Sequence, residues 1–364
     1  MKYVDEFRDP ATARALVEKI RQDAGDVPMR LMEVCGTHTA SVSRNGLRSL
    51  LADAVSLVSG PGCPVCVTPD GYVDAAIELG RRPDITLVSF GDMLRVPGKN
   101  STLEKERASG ADVRIVYSPL DAIELAATTS DRQIVFLGVG FETTAPTIGG
   151  AIKVASERGL KNFSVLSSVR TIPEAMTLLA QDPEIRIQGF LCPGHVSVII
   201  GMKPYQLLAE KYGISCVICG FEPLDILLGI SMLLRQRKDG VARAENAYPR
   251  GVSAEGNLKA REMISEIFEP CDTEWRGIGE ICGSGLRIRD RYARFDAEKK
   301  LGVSVVFSRT STPCRCGDIL KGKILPADCP LFGNTCVPQE PVGPCMVSTE
   351  GTCAAYYKYG GIVQ

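Results

Sequence analysis

The sequence predicts an α/β protein with two parallel-sheet domains, followed by a C-terminal segment of a different kind. Three observations carry this. Between about residues 52 and 230, short apolar runs rich in β-branched residues alternate with helical patterns, as βαβ units do. At 364 residues the chain is long for one hydrophobic core. Six of its 14 cysteines fall at or beyond residue 314, in a stretch rich in Pro and Gly with little periodicity.

The elements follow in order. ATARALVEKIRQDAGD reads as an amphipathic helix with Ala13, Leu16, Val17 and Ile20 on one face. MRLMEV reads as a strand ending at Cys35. AVSLVSG, ITLVSFG, VRIVYSP, QIVFLGVG, FSVLSSV, IQGFLCPG and SCVICGF are the strand candidates that follow. The helices between them include DGYVDAAIELGRR, SPLDAIELAATT, PTIGGAIKVASERG, IPEAMTLLAQD and KPYQLLAEKYG. The Gly-Pro-Gly-Cys turn near residue 60 echoes the Cys-Pro-Gly-His turn near residue 192, which suggests that one domain repeats the other. Residues 231–300 read as mostly helical and polar, and 303–307 as a lone strand. The tail beyond 312 cannot bury much apolar surface, so a bound metal centre would supply its organisation.

Composition narrows the function. With 42 basic against 43 acidic residues the net charge is −1, which argues against a nucleic-acid partner. No apolar run approaches the roughly 18 residues of a membrane helix. The first residues, MKYVDEFRDP, carry charge from the start and lack the apolar core of a secretion signal. The expected setting is the cytoplasm, where thiols stay reduced and dense cysteines point to metal or redox work.

Four places can do chemistry. GPGCPVCVTPD sets Cys63 and Cys66 in a Cys-x-x-Cys between a strand and a helix beginning near Asp70. Thiolates are favoured at such a helix start, and the pair can close a disulfide or bind a metal. MEVCGTHT places Cys35 three residues before His38, a nucleophile pair or a metal ligand with its supporting imidazole. The second histidine, His195 in CPGHVS, also lies on a strand–helix turn. GFETTAPT offers Glu142 and two threonine hydroxyls, but neither the lysine nor the glycine spacing of a nucleotide cradle. In the tail, Cys316, Cys329, Cys336 and Cys353 suit zinc or an iron–sulfur cluster. Tight Cys-x-x-Cys knuckles are missing there, which favours a 4Fe-4S cluster; Cys314 competes with Cys316, and Cys345 is a spare. Cys192, Cys216, Cys219, Cys271 and Cys282 read as small buried residues, and Cys216-x-x-Cys219 falls inside a strand, where side chains diverge.

MEVCGTHT, GPGCPVCVTP, GFETTAPT, CPGHVS and the tail CPLFGNTC with MVSTEGTCAAYYKYG together resemble the HypD family of hydrogenase maturation factors, over nearly the whole chain. The resemblance implies a scaffold for the Fe(CN)2CO moiety of NiFe hydrogenases, a monomer working with a HypC-type chaperone and a HypE-type cyanide donor. It implies that Cys35 holds iron and that Cys63 and Cys66 are a redox pair that also lies at the metal. Four of the tail cysteines would bind a 4Fe-4S cluster, while His38, His195 and Glu142 handle protons or hydrogen-bond the cyanides. The implied fold is two similar α/β domains and a cluster-bearing third, with a cleft between them. Along the chain, residues 1–50 form a helical segment packed on the C-terminal domain. Residues 51–130 and 131–230 are then the two α/β domains, and 231–364 the iron–sulfur domain. Two rival readings are a thiol–disulfide oxidoreductase with a structural four-cysteine metal site and a non-catalytic zinc-bearing assembly protein.

Overall fold

In the computed structural model, which describes residues 5–306 and 313–360, the chain is an α/β protein with two sheets, both built on parallel strands. Strands β1 (Met29–Glu33), β2 (Val55–Ser59), β3 (Ile85–Ser89), β4 (Val113–Ile115), β5 (Gln133–Gly140) and β6 (Phe163–Arg170) come first. They are followed by β7 (Gly189–Pro193), β8 (Ser215–Cys219), β9 (Ala244–Asn246), β10 (Phe268–Trp275) and β11 (Gly279–Ile288). The first sheet runs β2-β1-β7-β8-β9, all parallel. The second runs β10-β11-β6-β5-β3-β4, in which β3 to β6 are parallel and the β10–β11 hairpin joins antiparallel.

Local chemistry explains the elements. β5 is buried at every position after Gln133, as a parallel strand with both faces covered must be. The helix Pro10–Asp23 starts where Asp9 accepts the Thr12 N–H at 2.7 Å, with proline at its first position. It buries Val17 and Ile20 against the helix Pro223–Asp239, with Ala13 and Leu16 on the same face. Ser118 and Asp121 form a capping box at the start of Pro119–Thr128.

Sheet membership does not follow the chain. Residues 51–130 give β2 to the first sheet and β3 and β4 to the second, whereas 131–230 give β5 and β6 to the second and β7 and β8 to the first. The two echoing turns therefore do not mark one domain repeated in another: β2 and β7 flank β1 in a single sheet. Parallel neighbours require a crossover, and here the crossover from β2 to β7 contains the parallel core of the second sheet. Strand order reverses between β1 and β7, since β1 leads outward to β2 on one side and β7 to β8 and β9 on the other. Loops leaving such a switch point diverge and open a crevice at the carboxyl ends.

Residues 231–300 hold more strand than their sequence suggests. β10 and β11 form a long hairpin whose buried positions, Phe268, Trp275, Ile281, Leu286 and Ile288, are spaced among charged residues that mimic a polar helix. On this hairpin Cys271 is half-buried and Cys282 exposed, so neither is the core residue expected; Cys192, Cys216 and Cys219 are fully buried. Cys216 and Cys219 enter different cores on opposite faces of β8. Residues 303–306 pair with no strand, and residue 307 lies outside the described residues. Among the described residues no helix is long and apolar enough to cross a membrane.

Candidate functional site

The turns that follow β1, β2, β7 and β8 lie side by side at one end of the first sheet, and they carry the residues singled out above. Cys35 is the residue before the helix Gly36–Arg44, and its carbonyl accepts the Thr39 N–H at 3.0 Å. The Gly36 N–H donates to the Gly62 carbonyl at 3.0 Å, and the Gly60 N–H to that of Glu33 at 2.8 Å, lacing the Cys35 turn to the Cys63 turn. The approach is so close that a Cβ on Gly62 would stand 2.2 Å from the Cys35 nitrogen, which only glycine permits. On the other flank, the His38 and His195 rings both face Phe221, at centroid distances of 5.0 and 3.9 Å.

Burial sets the protonation states. His38 Nε2 lies 2.9 Å from the Gly220 carbonyl, which assigns the N–H to Nε2 and leaves the buried Nδ1 without a partner. Desolvation takes this imidazole down to about 4, so it is neutral at pH 7. His195 is lowered as well, by burial, with Glu350 opposing. The Cys35 thiol is pushed up to about 12, first by burial, with Glu350 and Glu33 adding to it. Glu33 is itself buried and holds its carboxyl at about 7 despite Arg48, Ser59 and Thr39 hydrogen-bonding to it. The free Cys35 is thus a neutral thiol, ready to ionise when a cation takes the place of its proton.

The second thiol group joins the tail. Cys66 is fully buried, its sulfur within hydrogen-bonding reach of Cys63 and Cys345, and desolvation holds its thiol well above the usual range. Cys345 also contacts Cys316 and Cys353. A cavity beside them is lined by Cys314, Cys329, Cys336, Cys345 and Cys353 with Ile319, Leu331, Phe332 and Met346. All six tail cysteines therefore gather in one apolar region, as a thiolate-bound centre needs. Their sulfurs contact one another in a chain, and no three Cys, His, Asp or Glu side chains among the described residues surround a common point.

Glu142 is tied to a helix start, and its neighbours Phe141 and Ile172 pack in the same core as Cys63 and Cys66. Its Oε1 accepts the Ile172 N–H at 2.9 Å, and its Oε2 has no hydrogen-bond partner among the described residues. Desolvation, reinforced by Glu174, pushes its carboxyl up to about 8. The folded chain thus keeps a proton between about 4.5 and 8 that the unfolded chain releases, and stability falls as pH climbs through that window. Glu142→Gln removes this loss. Unfolding free energies from urea titrations at pH 5 and pH 8 are expected to differ less in the variant, by on the order of 1–3 kcal/mol. An equal decline in both proteins would place the slope on another group.

Comparison with known proteins adds to this geometry. The family model HypD, described as "Hydrogenase formation hypA family", matches residues 11–360. The chain belongs to the HypD family. It is 46% identical over 372 residues to a protein of Rhodobacter capsulatus named hydrogenase maturation factor HypD, covering 99% of both chains. The HypD of Azotobacter vinelandii is 48% identical over 368 residues, covering 99% of this chain and 97% of its own. That of Escherichia coli is 43% identical over 368 residues, with 99% and 98% covered.

Two residues of this HypD family member escaped the sequence reading. Thr37 donates to Glu350 Oε1 at 2.7 Å, and Glu350 packs so tightly on Gly36 that an added Cβ would meet it at 2.6 Å. A carboxylate from the far end of the chain is thus placed at Cys35. Its position beside Cys353 in MVSTEGTC was the available signal. Cys345, read as a spare, is the thiol that links Cys66 to the tail.

Proposed function

We propose that this chain serves hydrogenase maturation as the scaffold on which the Fe(CN)2CO moiety is assembled. The observation that carries this reading is the convergence of Cys35, His38, His195 and Glu350 at the switch point between β1 and β7, with Cys63 and Cys66 on the adjoining turn. Iron is the cargo. Cys35, losing its proton, is one soft ligand for it, and a cysteine of a HypC-type chaperone is the other. A HypE-type donor brings cyanide to that iron.

Each neighbouring residue has a task. His38 presents an unprotonated Nδ1 in a dry site, where it takes a proton or orients a ligand. Thr37 holds Glu350 beside Cys35, where its charge discourages an empty thiolate. As a dithiol, Cys63 and Cys66 would hold two electrons and two protons, and they would close a disulfide only as an oxidised centre, such as a cluster at the tail thiols, took the electrons one at a time. Glu142 caps the start of Ile172–Gln181 with one oxygen and keeps the other for a proton or a polar ligand.

The tail thiols suit a 4Fe-4S cluster in donor chemistry, burial and apolar surroundings. Cys316, Cys329, Cys336 and Cys353 are its proposed ligands, with Cys314 and Cys345 within the same region. Such a cluster supplies single electrons. Iron, acid-labile sulfide and visible absorption of protein purified without oxygen test the reading. About four of each per chain, with a broad band at roughly 400 nm, is expected. Zinc without sulfide or colour would overturn the cluster.

A further inference from the structure

Of the two imidazoles at the switch point, one is tied to the fold by a hydrogen bond and the other is not. His38 is held by its Nε2 at the Gly220 carbonyl. His195 is exposed, and among the described residues no hydrogen bond reaches its ring. What fixes it is Phe221, whose ring lies face to face with it at 3.9 Å and an interplanar angle of 26°. The approach depends on Gly194, the residue before His195. A Cβ there would stand 3.1 Å from the Phe221 Cζ and 2.5 Å from the Cys219 oxygen.

The Phe221 loop is itself clamped. The helix Gly36–Arg44 holds its backbone twice, through His38 at the Gly220 carbonyl and through Ser41 Oγ, which donates to the Phe221 carbonyl at 2.7 Å. Asp225, its side chain 1% exposed, accepts the Glu222 N–H at 3.1 Å. It packs so closely on Gly220 that an added Cβ would meet its Oδ2 at 2.3 Å. Arg250 donates two parallel hydrogen bonds to that carboxylate, at 2.7 and 2.6 Å, a fork that fixes direction as well as distance. Its guanidinium lies against two rings, Phe7 at 3.7 Å and Tyr248 at 4.6 Å. Tyr248 in turn meets the Phe221 ring edge-on at 6.0 Å, and Arg8 pairs with Glu222. Cations over ring faces and edge-to-face rings are arrangements that the ring quadrupole favours. A brace thus runs from the first residues of the described chain, through Arg250 and Tyr248, to the ring that carries His195.

We propose that Phe221 is the positioning residue of His195, and that the Asp225–Arg250 pair, braced by Phe7, holds Phe221 in place for it. This rests on the reading of His195 as a group that serves the cargo and adds what aims it. An aromatic contact of this kind favours one ring orientation by roughly two- to tenfold in population. An imidazole that takes a proton or orients a ligand works only from the orientation that reaches it. Phe221 touches no reacting atom in this scheme.

The chain has only two histidines, so a histidine-labelled sample gives one set of imidazole NMR signals for each. The test compares these signals, and the rate of hydrogenase maturation in cells lacking their own homologue, for the wild type, F221L, F7A, F7Y and H195A. In F221L, His195 is expected to average between rotamers while His38, bonded to Gly220, keeps one. Maturation is expected to slow by roughly two- to tenfold. F7A leaves Phe221 and both histidines in place, and keeps the proposal testable should F221L not fold. It is expected to lose part of the upfield ring-current shift on His195, and F7Y, which keeps an aromatic face on Arg250, to recover it. A merely structural role for Phe7 would lower stability without moving an imidazole signal. His195 signals at wild-type positions in F7A, or an unchanged rotamer in F221L, would overturn the proposal. These spectra need no iron, so they stand apart from the scaffold reading. Lost maturation in H195A with unmoved spectra in the other variants overturns the positioning role alone. Wild-type maturation in H195A overturns the task given to His195, and the positioning role with it.

Discussion

Cys35→Ala is expected to abolish hydrogenase maturation outright while the absorbance of the tail persists. Cys35 sits at the switch point, with Gly62 at its backbone and Glu350 at its side, and no other cysteine occupies that turn. Serine would keep the size but offer a hard oxygen of much higher pKa, a poor ligand for iron bearing cyanide and carbon monoxide. The measurement has two parts: hydrogenase activity in cells whose own homologue is deleted, and iron per chain in the purified variant. Activity at wild-type levels would remove Cys35 from the mechanism. Loss of activity together with loss of the tail's colour would show that the substitution damaged more than the delivery site.

Trp275→Ala is expected to lower stability by about 3–5 kcal/mol, the range for a large aromatic deleted from a close-packed core. Trp275 is fully buried at the end of β10, donates from Nε1 to the Ser284 hydroxyl at 2.8 Å and stacks on Phe141 at 5.7 Å. The guanidinium of the buried Arg170 also faces its ring at 5.9 Å. Trp275→Phe restores part of the volume and is expected to recover roughly half of the loss. Trp275 is the single tryptophan of the chain, so circular dichroism rather than fluorescence must follow urea unfolding. A loss below about 1 kcal/mol would mean that the hairpin is not held by this side chain.

Much of the chemistry was legible in the sequence because thiols and imidazoles are rare and carry their own meaning. The turns at Cys35, Cys63 and His195 declared themselves by glycine and proline next to apolar strands. What did not show was which strands pair. β1, β2 and β7 have similar apolar patterns, and nothing local states that β7 returns beside β1 after four strands of another sheet. The hairpin was missed because β10 buries only Phe268 and Trp275, at its two ends, and a register shift between Cys271 and Thr273 interrupts the alternation of a half-buried strand. Glu350 and Arg250 are ordinary charged residues, and only contacts across the fold reveal their places. Glu142, legible from its motif, also has a role that its motif does not state: one of its oxygens holds a helix start.

The interleaving of the two sheets has a consequence for biosynthesis. The first sheet cannot close until β7 has been made, because Arg30 near the start of β1 bonds to Gln188, 158 residues later. At a ribosomal pace of ~5–20 residues per second, β1 waits about 8 to 30 seconds for its neighbour. The Glu350 partner of Thr37 arrives later still, 313 residues downstream. A nascent chain therefore displays Cys35 on an unfinished surface, and its surroundings are complete only after Glu350 has been made. On the proposed role of Cys35, ordering by chain topology would guard against premature loading: a polypeptide stopped before β7 would have the ligand but not the enclosure.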